Sequence, residues 1–210
     1  MSKKFKIPSA TIGRLSMYSR YLKDADNKGI VTVSSRNIAE ATGVTPAQVR
    51  KDLAYFGEFG TRGVGYNSRE LYNYIMKILG LDRSWPVAVI GAGNLGRALC
   101  HYKGFAERGF NICCVFDNDP NKIGEKLSNI PIYSLDLLKE KINTNNIKLA
   151  IVAVPATSAQ EVIEELVEAG IKGIVNFAPV NVKVKDNIIL RRVDLAAQLE
   201  YLTYYMEDNK

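Results

Sequence analysis

Histidine is almost missing from this sequence: His101 is the only one. That removes the commonest general acid–base group from nearly the whole chain. No Ser/His/Asp or Cys/His constellation can be assembled, and no lysine is evidently placed as a base, so no catalytic residue is assigned. Cysteine is scarce too. Cys100, Cys113 and Cys114 show neither metal-ligand spacing nor an even disulfide set, so no metal site is expected. Cys113 and Cys114 sit in an apolar run and read as core; a redox role for the adjacent pair is the alternative, opposed by the strain of a vicinal disulfide. No apolar run approaches the roughly 20 residues that cross a bilayer. The first residues, MSKKFKIPSATIG, are basic but lack the apolar stretch of a signal peptide. A cytoplasmic protein with no membrane partner is expected.

What is present is unevenly distributed. Of 28 basic and 22 acidic residues, positions 1–85 hold 14 and 7, a net of +7, and positions 86–210 a net of −1. The basic excess therefore lies at the N-terminal end, which suggests an anionic partner there; a solvated basic face is the plainer reading. Apolar residues make up 47%, enough for a core. Pro8 opens a helical pattern to about Asn27, with Ile12, Leu15, Tyr18 or Ser19, and Leu22 on one stripe. Gly29 ends it. IVTVS is a short β-type run. Ser34 or Ser35 caps a second helix, Thr45 a third with Pro46 at its first position, and Ser68 starts a fourth ending near Gly80. LDRSW reads as a linker. From Pro86 strands and helices alternate: PVAVI, a helix to about Arg108, NICCVFD, IPIY, LDLLKEKI, KLAIVAV, AQEVIEELVEAG and KGIVNF. Such alternation implies a parallel sheet covered on both faces. A last helix, VDLAAQLEYLTYYM, carries Leu195, Leu199, Leu202 and Met206 on one stripe. The expected class is α/β: an N-terminal winged-helix unit, residues 1–80, a linker, 81–85, a Rossmann-type doubly wound parallel sheet, 86–192, and a C-terminal helix, 193–210.

RNIAEATGVTPAQVRKDLAYF has helix-turn-helix logic. Ala39 is small where two helices cross, Gly43 suits a left-handed turn, and Val49 faces inward. In the third helix Val49, Leu53 and Phe56 form a core stripe, while Ala47, Arg50, Lys51 and Ala54 point the other way. Arg50 and Lys51 can reach guanine edges or phosphates in a major groove. FGEFGTRGVGY then reads as a glycine-rich hairpin with Arg62 near its tip, a wing able to place a guanidinium in a minor groove.

VIGAGNLGRAL places Gly91, Gly93 and Gly96 in the G-x-G-x-x-G spacing, after a strand and opening a helix. These glycines serve a tight turn, close approach to a pyrophosphate, and helix–strand packing. Asp117 ends the next strand 21 residues after Gly96, where an acid binds the adenosine ribose. Asn118 and Asp119 follow, with no arginine to meet a 2′-phosphate, so NAD(H) is expected over NADP(H). AVPATS and NFAP supply small residues at strand ends, suited to a flat nicotinamide ring and not to proton transfer. His101 reads as a packing or surface residue, although its position lets it approach a ligand. A small NAD-dependent dehydrogenase and a CoA-binding module are the alternatives; the missing acid–base group opposes the first.

With both motifs in one chain, TPAQVRKDLAYFGEFGTRGVGY and VIGAGNLGRAL, the sequence resembles the Rex family of bacterial redox-sensing transcriptional repressors over essentially its whole length. The resemblance implies a homodimer that binds an inverted-repeat operator in double-stranded DNA when NADH is scarce and releases it on binding NADH, with NADH and NAD+ as effectors. It implies that the last helix is exchanged between subunits. It implies coupling through a first-helix arginine, an aromatic after the glycine turn and an acid of the partner's last helix, here matched by Arg20, Tyr102 and Asp194; an ordinary surface ion pair is the competing reading for Arg20 and Asp194. The candidate DNA contacts are Arg14, Thr45, Gln48, Arg50, Lys51, Arg62 and Gly63. The candidate cofactor contacts are Gly91, Ala92, Gly93, Asn94, Leu95, Gly96, Tyr102, Asp117, Val154, Pro155 and Ala156.

Overall fold

A computed structural model describes residues 7–61 and 63–208. They divide into two units, one up to Arg83 and one from Ser84.

The first unit opens with helix α1, Ser9–Asn27, which stops at Lys28 and the left-handed Gly29. Its buried stripe is Thr11, Leu15, Tyr18, Ser19, Leu22 and Ala25. Ile12, expected at the head of that stripe, is instead 38% exposed. Strand β1, Thr32–Val33, leads to α2, Ser35–Thr42, where Ser34 and Asn37 form a reciprocal capping box. Gly43, at φ +70°, makes the turn into α3, Pro46–Ala54, capped by the Thr45 hydroxyl accepting from the Gln48 amide at 3.1 Å. After the glycine-rich hairpin, β2, Tyr66–Asn67, pairs antiparallel with β1. Helix α4, Ser68–Ile78, starts at Ser68 as expected and is capped by Asn67; the Ser68 hydroxyl is buried and donates to the Ile30 carbonyl. The core gathers Leu15, Tyr18, Leu22, Ile38, Val49, Leu53 and Ile75.

One polar group sits inside this core. Asp52 of α3 is fully buried. Its Oδ1 accepts from Thr11 Oγ1 at 3.1 Å, Arg14 at 2.7 Å and Gln48 Nε2 at 2.9 Å; its Oδ2 accepts from Tyr18 at 2.8 Å and from Arg14 Nε. This explains why Thr11, not Ile12, faces inward. Burial alone would raise the Asp52 pKa, but the donors from Arg14, Tyr18, Gln48 and Thr11 outweigh it and hold the carboxyl below its usual range. Burial, followed by the hydrogen bond to Asp52, pushes the Tyr18 phenol up.

The second unit begins with β3, Trp85–Ile90. The expected single helix to Arg108 is two, α5, Asn94–His101, and α6, Lys103–Ala106, because Tyr102 takes an extended conformation between them. There follow β4, Phe110–Asp117; β5, Lys126–Leu127; β6, Ile130–Ser134; α7, Leu138–Thr144; β7, Leu149–Val152; α8, Ala159–Glu168; β8, Gly173–Asn176; β9, Ile189–Arg192; and α9, Leu195–Asp208. The sheet order is β5-β6-β4-β3-β7-β8-β9, all parallel except the β5 edge. Leaving out β5, this is the doubly wound order 3-2-1-4-5-6, with its switch point between β3 and β7. The short strands β5 and β9 were not anticipated from the sequence.

Helices α7 and α8 cover one face of the sheet. On the other face Leu99, Cys100 and Phe105 of the α5–α6 segment pack near β3 and β4. That second face is not fully covered, contrary to the sequence expectation. An apolar cavity of about 320 Å³ stays open over Val87, Ile112, Leu149, Ile151, Val175 and Ile189. Along β4 the register slips opposite Val87 and Ala88, a bulge that leaves Cys113 unpaired in the ladder. Cys113 and Cys114 therefore both pack toward the α7–α8 side instead of alternating, Cys114 buried and Cys113 only half-buried.

Replacing Asp52 with Asn leaves the Arg14 guanidinium against an uncharged group, and the expected loss is about 3 kcal/mol of first-unit stability. Because the folded-state pKa of Asp52 is lowered, its contribution is complete above about pH 4 and is lost as pH falls through the folded value. Denaturant titrations of both chains from pH 7 downward should show the native advantage shrinking only below about pH 4.

Candidate functional site

Two surfaces carry the chemistry. On the first unit, α3 presents Ala47, Arg50, Lys51 and Ala54 to solvent, as expected, with Val49 and Leu53 buried behind them. Phe56 is half-buried against the same core. Arg50 donates to the Ser35 hydroxyl at 2.9 Å, which steadies the guanidinium at the start of α2. Between α3 and the hairpin lies a concavity of about 790 Å³, lined in part by Ser35, Arg50, Ala54, Gly60 and Gly63. The hairpin closes through a bridge between Thr61 and Gly65. Gly60 needs to be glycine, since a side chain there would meet the Gly65 carbonyl at 2.3 Å; Gly63, at φ +83°, has open space around it. Arg62, expected at the tip, lies outside the described residues. Thr45 is exposed, with its hydroxyl occupied as a cap.

Two expected contacts are otherwise engaged. The Arg14 side chain is only 21% exposed and forks onto Asp52. Gln48 turns its amide to the same carboxylate. Both donate inward, because a buried carboxylate needs donors more than a solvated surface does. Arg14 was not recognisable as a core ligand, since it and Asp52 are 38 residues apart; for Gln48 the i,i+4 spacing to Asp52 was legible, but the burial of that carboxylate was not.

On the second unit the three glycines divide their tasks. Gly91, at φ +101°, lies against the Ala153 carbonyl, which a Cβ would meet at 2.6 Å. A Cβ on Gly96 would stand 1.8 Å from the Gly91 carbonyl oxygen, so this glycine lets α5 close onto the turn. Gly93 has nothing within 4 Å and brings no side-chain cap to α5, leaving the helix start open to an anion. Asp117 is buried at the end of β4, its Oδ2 accepting from the Ala92 amide at 2.7 Å and its Oδ1 from the Asp119 amide at 2.9 Å. Burial pushes its pKa up, but these two amides and Lys122 pull it further down, so it is ionised at neutral pH.

A crevice of about 580 Å³ runs over Gly91, Gly93, Asp117, Val154 and Pro155. These five expected residues are brought together. Ala92 is buried beneath the turn, Gly96 packs the helix, Asn94 and Leu95 form the first turn of α5, and Ala156 is exposed in the loop after Pro155. Tyr102 is exposed, edge-on to Phe105 at 5.1 Å between ring centres. His101 is exposed, its Nδ1 2.7 Å from the Arg97 carbonyl. Sequence reasoning missed Lys122, Glu161 and Glu165, which also line the crevice. Burial, then Glu161, raises the Glu165 pKa. The spacing of Glu161 and Glu165 on α8 was legible; their facing the crevice was not.

The comparisons with known proteins bear on both surfaces. Residues 6–54 match the family model described as putative DNA-binding protein N-terminus, and residues 82–180 the one described as CoA binding domain. The redox-sensing transcriptional repressor Rex of Carboxydothermus hydrogenoformans is 59% identical over 96% of this chain and 97% of its own length. That of Desulfitobacterium hafniense is 56% identical over 96% of each. The chain belongs to the Rex family of redox-sensing transcriptional repressors. Among solved structures, the Rex-family repressor RSP in complex with β-NAD+ and operator DNA is 40% identical and superposes with a TM-score of 0.93, covering 98% of this chain and 94% of that one. RSP with β-NADH superposes at 0.86, with 38% identity and coverage of 98% and 96%. Membership in a repressor family, with relatives matched from end to end, places this chain outside the dehydrogenases weighed from the glycine motif.

The glycines separate fold from ligand. Gly96→Ala should cost about 3 kcal/mol or more, because backbone must move. Gly93→Ala should leave the melting temperature within about 2 °C of native while weakening dinucleotide binding roughly tenfold or more. Thermal melts beside nucleotide titrations check both.

Proposed function

We propose that this Rex-family chain holds operator DNA when NADH is scarce and lets go when NADH binds. One observation carries the reading: a helix-turn-helix unit with an exposed basic face and an anion-ready glycine crevice share one chain, which matches over 98% of its length a repressor solved with both β-NAD+ and operator DNA. Arg50, Lys51, Thr45 and Gly63 lie on the exposed side of α3 and the hairpin and are the groups assigned to DNA; Arg62 joins them on its place in the sequence alone. Arg14 and Gln48 act one step back, through Asp52.

The crevice takes the adenosine ribose at Asp117, the pyrophosphate at Gly93 and the start of α5, and the nicotinamide near Val154 and Pro155. Desolvation against Val154 and Pro155 disfavours the cationic ring of NAD+, so NADH is the stronger effector. A hundredfold preference of NADH for the dimer shape that does not fit DNA supplies about 2.7 kcal/mol of coupling, and operator DNA weakens NADH binding by the same factor.

The working unit is a homodimer. Helix α9 has no buried residue in a single chain, and Leu195, Leu199, Leu202, Tyr204 and Met206 are exposed. The open apolar cavity on the second face of the sheet likewise wants a cover. Exchange of α9 between subunits answers the first need. Asp194 accepts from the Ala197 amide at 3.1 Å and so sits fixed at the start of that helix, where it can meet Arg20 and Tyr102 of the partner copy. The site of action is the cytoplasm; among the described residues no helix is long and apolar enough to cross a membrane.

A second reading follows from the family model named for CoA binding. Asp117 and Asp119 oppose it, since CoA carries a 3′-phosphate on the same ribose. Competition of CoA against NADH decides between them.

Gel shifts on an inverted-repeat operator should show release by NADH at concentrations where NAD+ has little effect, and a steep fall in affinity with salt. Operator binding indifferent to NADH overturns the reading. Lys51→Ala should weaken operator binding by about 1–3 kcal/mol and relax base preference. Truncation after Val193 should yield monomers in sedimentation, with loss of operator binding; a dimer surviving truncation would mean that α9 is not the exchanged element.

A further inference from the structure

No arginine follows Asp117, yet a cation is present. Lys122 Nζ lies 3.3 Å from Asp117 Oδ2, 3.4 Å from Asp117 Oδ1 and 3.4 Å from Asp119 Oδ2. Lys122, Asp117 and Asn118 all line the crevice, at the end of β4. An acid there takes the ribose diol, so this is the end where a phosphate on the ribose 2′ oxygen would arrive. The cluster holds two carboxylates and one ammonium, a net charge of −1.

The carboxylates are not free to swing away. Asp117 is fixed by the Ala92 and Asp119 amides. Asp119 is fixed through Oδ1, which accepts from the Asn121 amide at 3.0 Å and its Nδ2 at 3.1 Å, leaving Oδ2 for Lys122. The ammonium is thus held between two carboxylates anchored to the backbone.

We propose that Asp119 and Lys122 form a specificity lock: Lys122 is the cation placed to take a 2′-phosphate, and Asp119 keeps it occupied, so the chain answers NADH and not NADPH. The inference rests on the dinucleotide reading above. Lys122 is 29% exposed and Asp119 37%, so the pair is worth little to folding. Its worth lies in what it withholds. A 2′-phosphate is a dianion and competes for the ammonium once Asp119 is neutral, although Asp117 still repels it. The native cluster meets that phosphate with excess negative charge, while an unmodified ribose hydroxyl finds an acceptor in Asp117.

The test is titration of NADH and NADPH into the full chain, followed by nicotinamide fluorescence, for the native protein, Asp119→Asn, Lys122→Met and the double variant. The native chain should favour NADH about tenfold or more, and Asp119→Asn should narrow that preference about fivefold, mainly by tightening NADPH. Lys122→Met should widen the preference, and the double variant should lack the gain that Asp119→Asn alone brings. Thermal melts of the native chain and Asp119→Asn should agree, while Lys122→Met and the double variant, which strip a partner from buried Asp117, should melt lower. NADH binding by the native chain with an unchanged preference in Asp119→Asn overturns the lock alone, as does a gain that survives loss of Lys122. A native chain that binds neither nucleotide overturns the dinucleotide reading and the lock with it.

Discussion

The carboxylate of Asp52, buried in the first unit, accepts five hydrogen bonds from α1 and α3, and the placing of the exposed basic face of α3 depends on it. A recognition helix must be held to within a fraction of an ångström to read base edges. Apolar packing by Val49 and Leu53 sets the depth of α3, but apolar contacts tolerate sliding. A charged, fully satisfied network does not, because every small displacement strands a donor or an acceptor out of water. Thr11, Arg14 and Tyr18 meet the carboxylate from α1, and Gln48 meets it from the preceding turn of α3 itself. The orientation of Arg50 and Lys51 follows from that frame.

The second unit achieves precision by another route. Its glycine turn is shaped by backbone, with Gly91 and Gly96 allowing a close approach that no other residue permits. Asp117 braces the turn from beneath through the Ala92 amide while remaining at the crevice wall. One carboxylate thereby shapes the glycine turn and lines the crevice beside it. In both units an ionised Asp with a lowered pKa stands behind the candidate surface.

Legibility along the chain tracks the range of the interactions. The turn at Gly43, the cap at Thr45, the strand before Gly91 and the basic face of α3 each depend on residues within a few positions of one another, and each appears where the sequence places it. The bulge at Cys113 and the edge strand at Ile189 depend on neighbours farther along the chain and were not anticipated, nor was the break at Tyr102. Arg14 is the clearest case. An arginine in a basic N-terminal segment reads as a phosphate contact, and only its fold partner, 38 residues away, turns it inward.

By itself the sequence determined the two-part architecture, the family and the residue types of both surfaces, because periodicity, glycine placement and charge are local quantities that the backbone must obey. Tertiary structure alone decided which polar side chains face inward, that part of one sheet face lacks cover and α9 has no buried residue within a chain, and that Lys122 stands between two carboxylates. Those outcomes turn on pairing between groups from separate elements. A buried charge takes whichever donors the packed elements bring to it, and the chemical identity of a residue does not say which donors those will be.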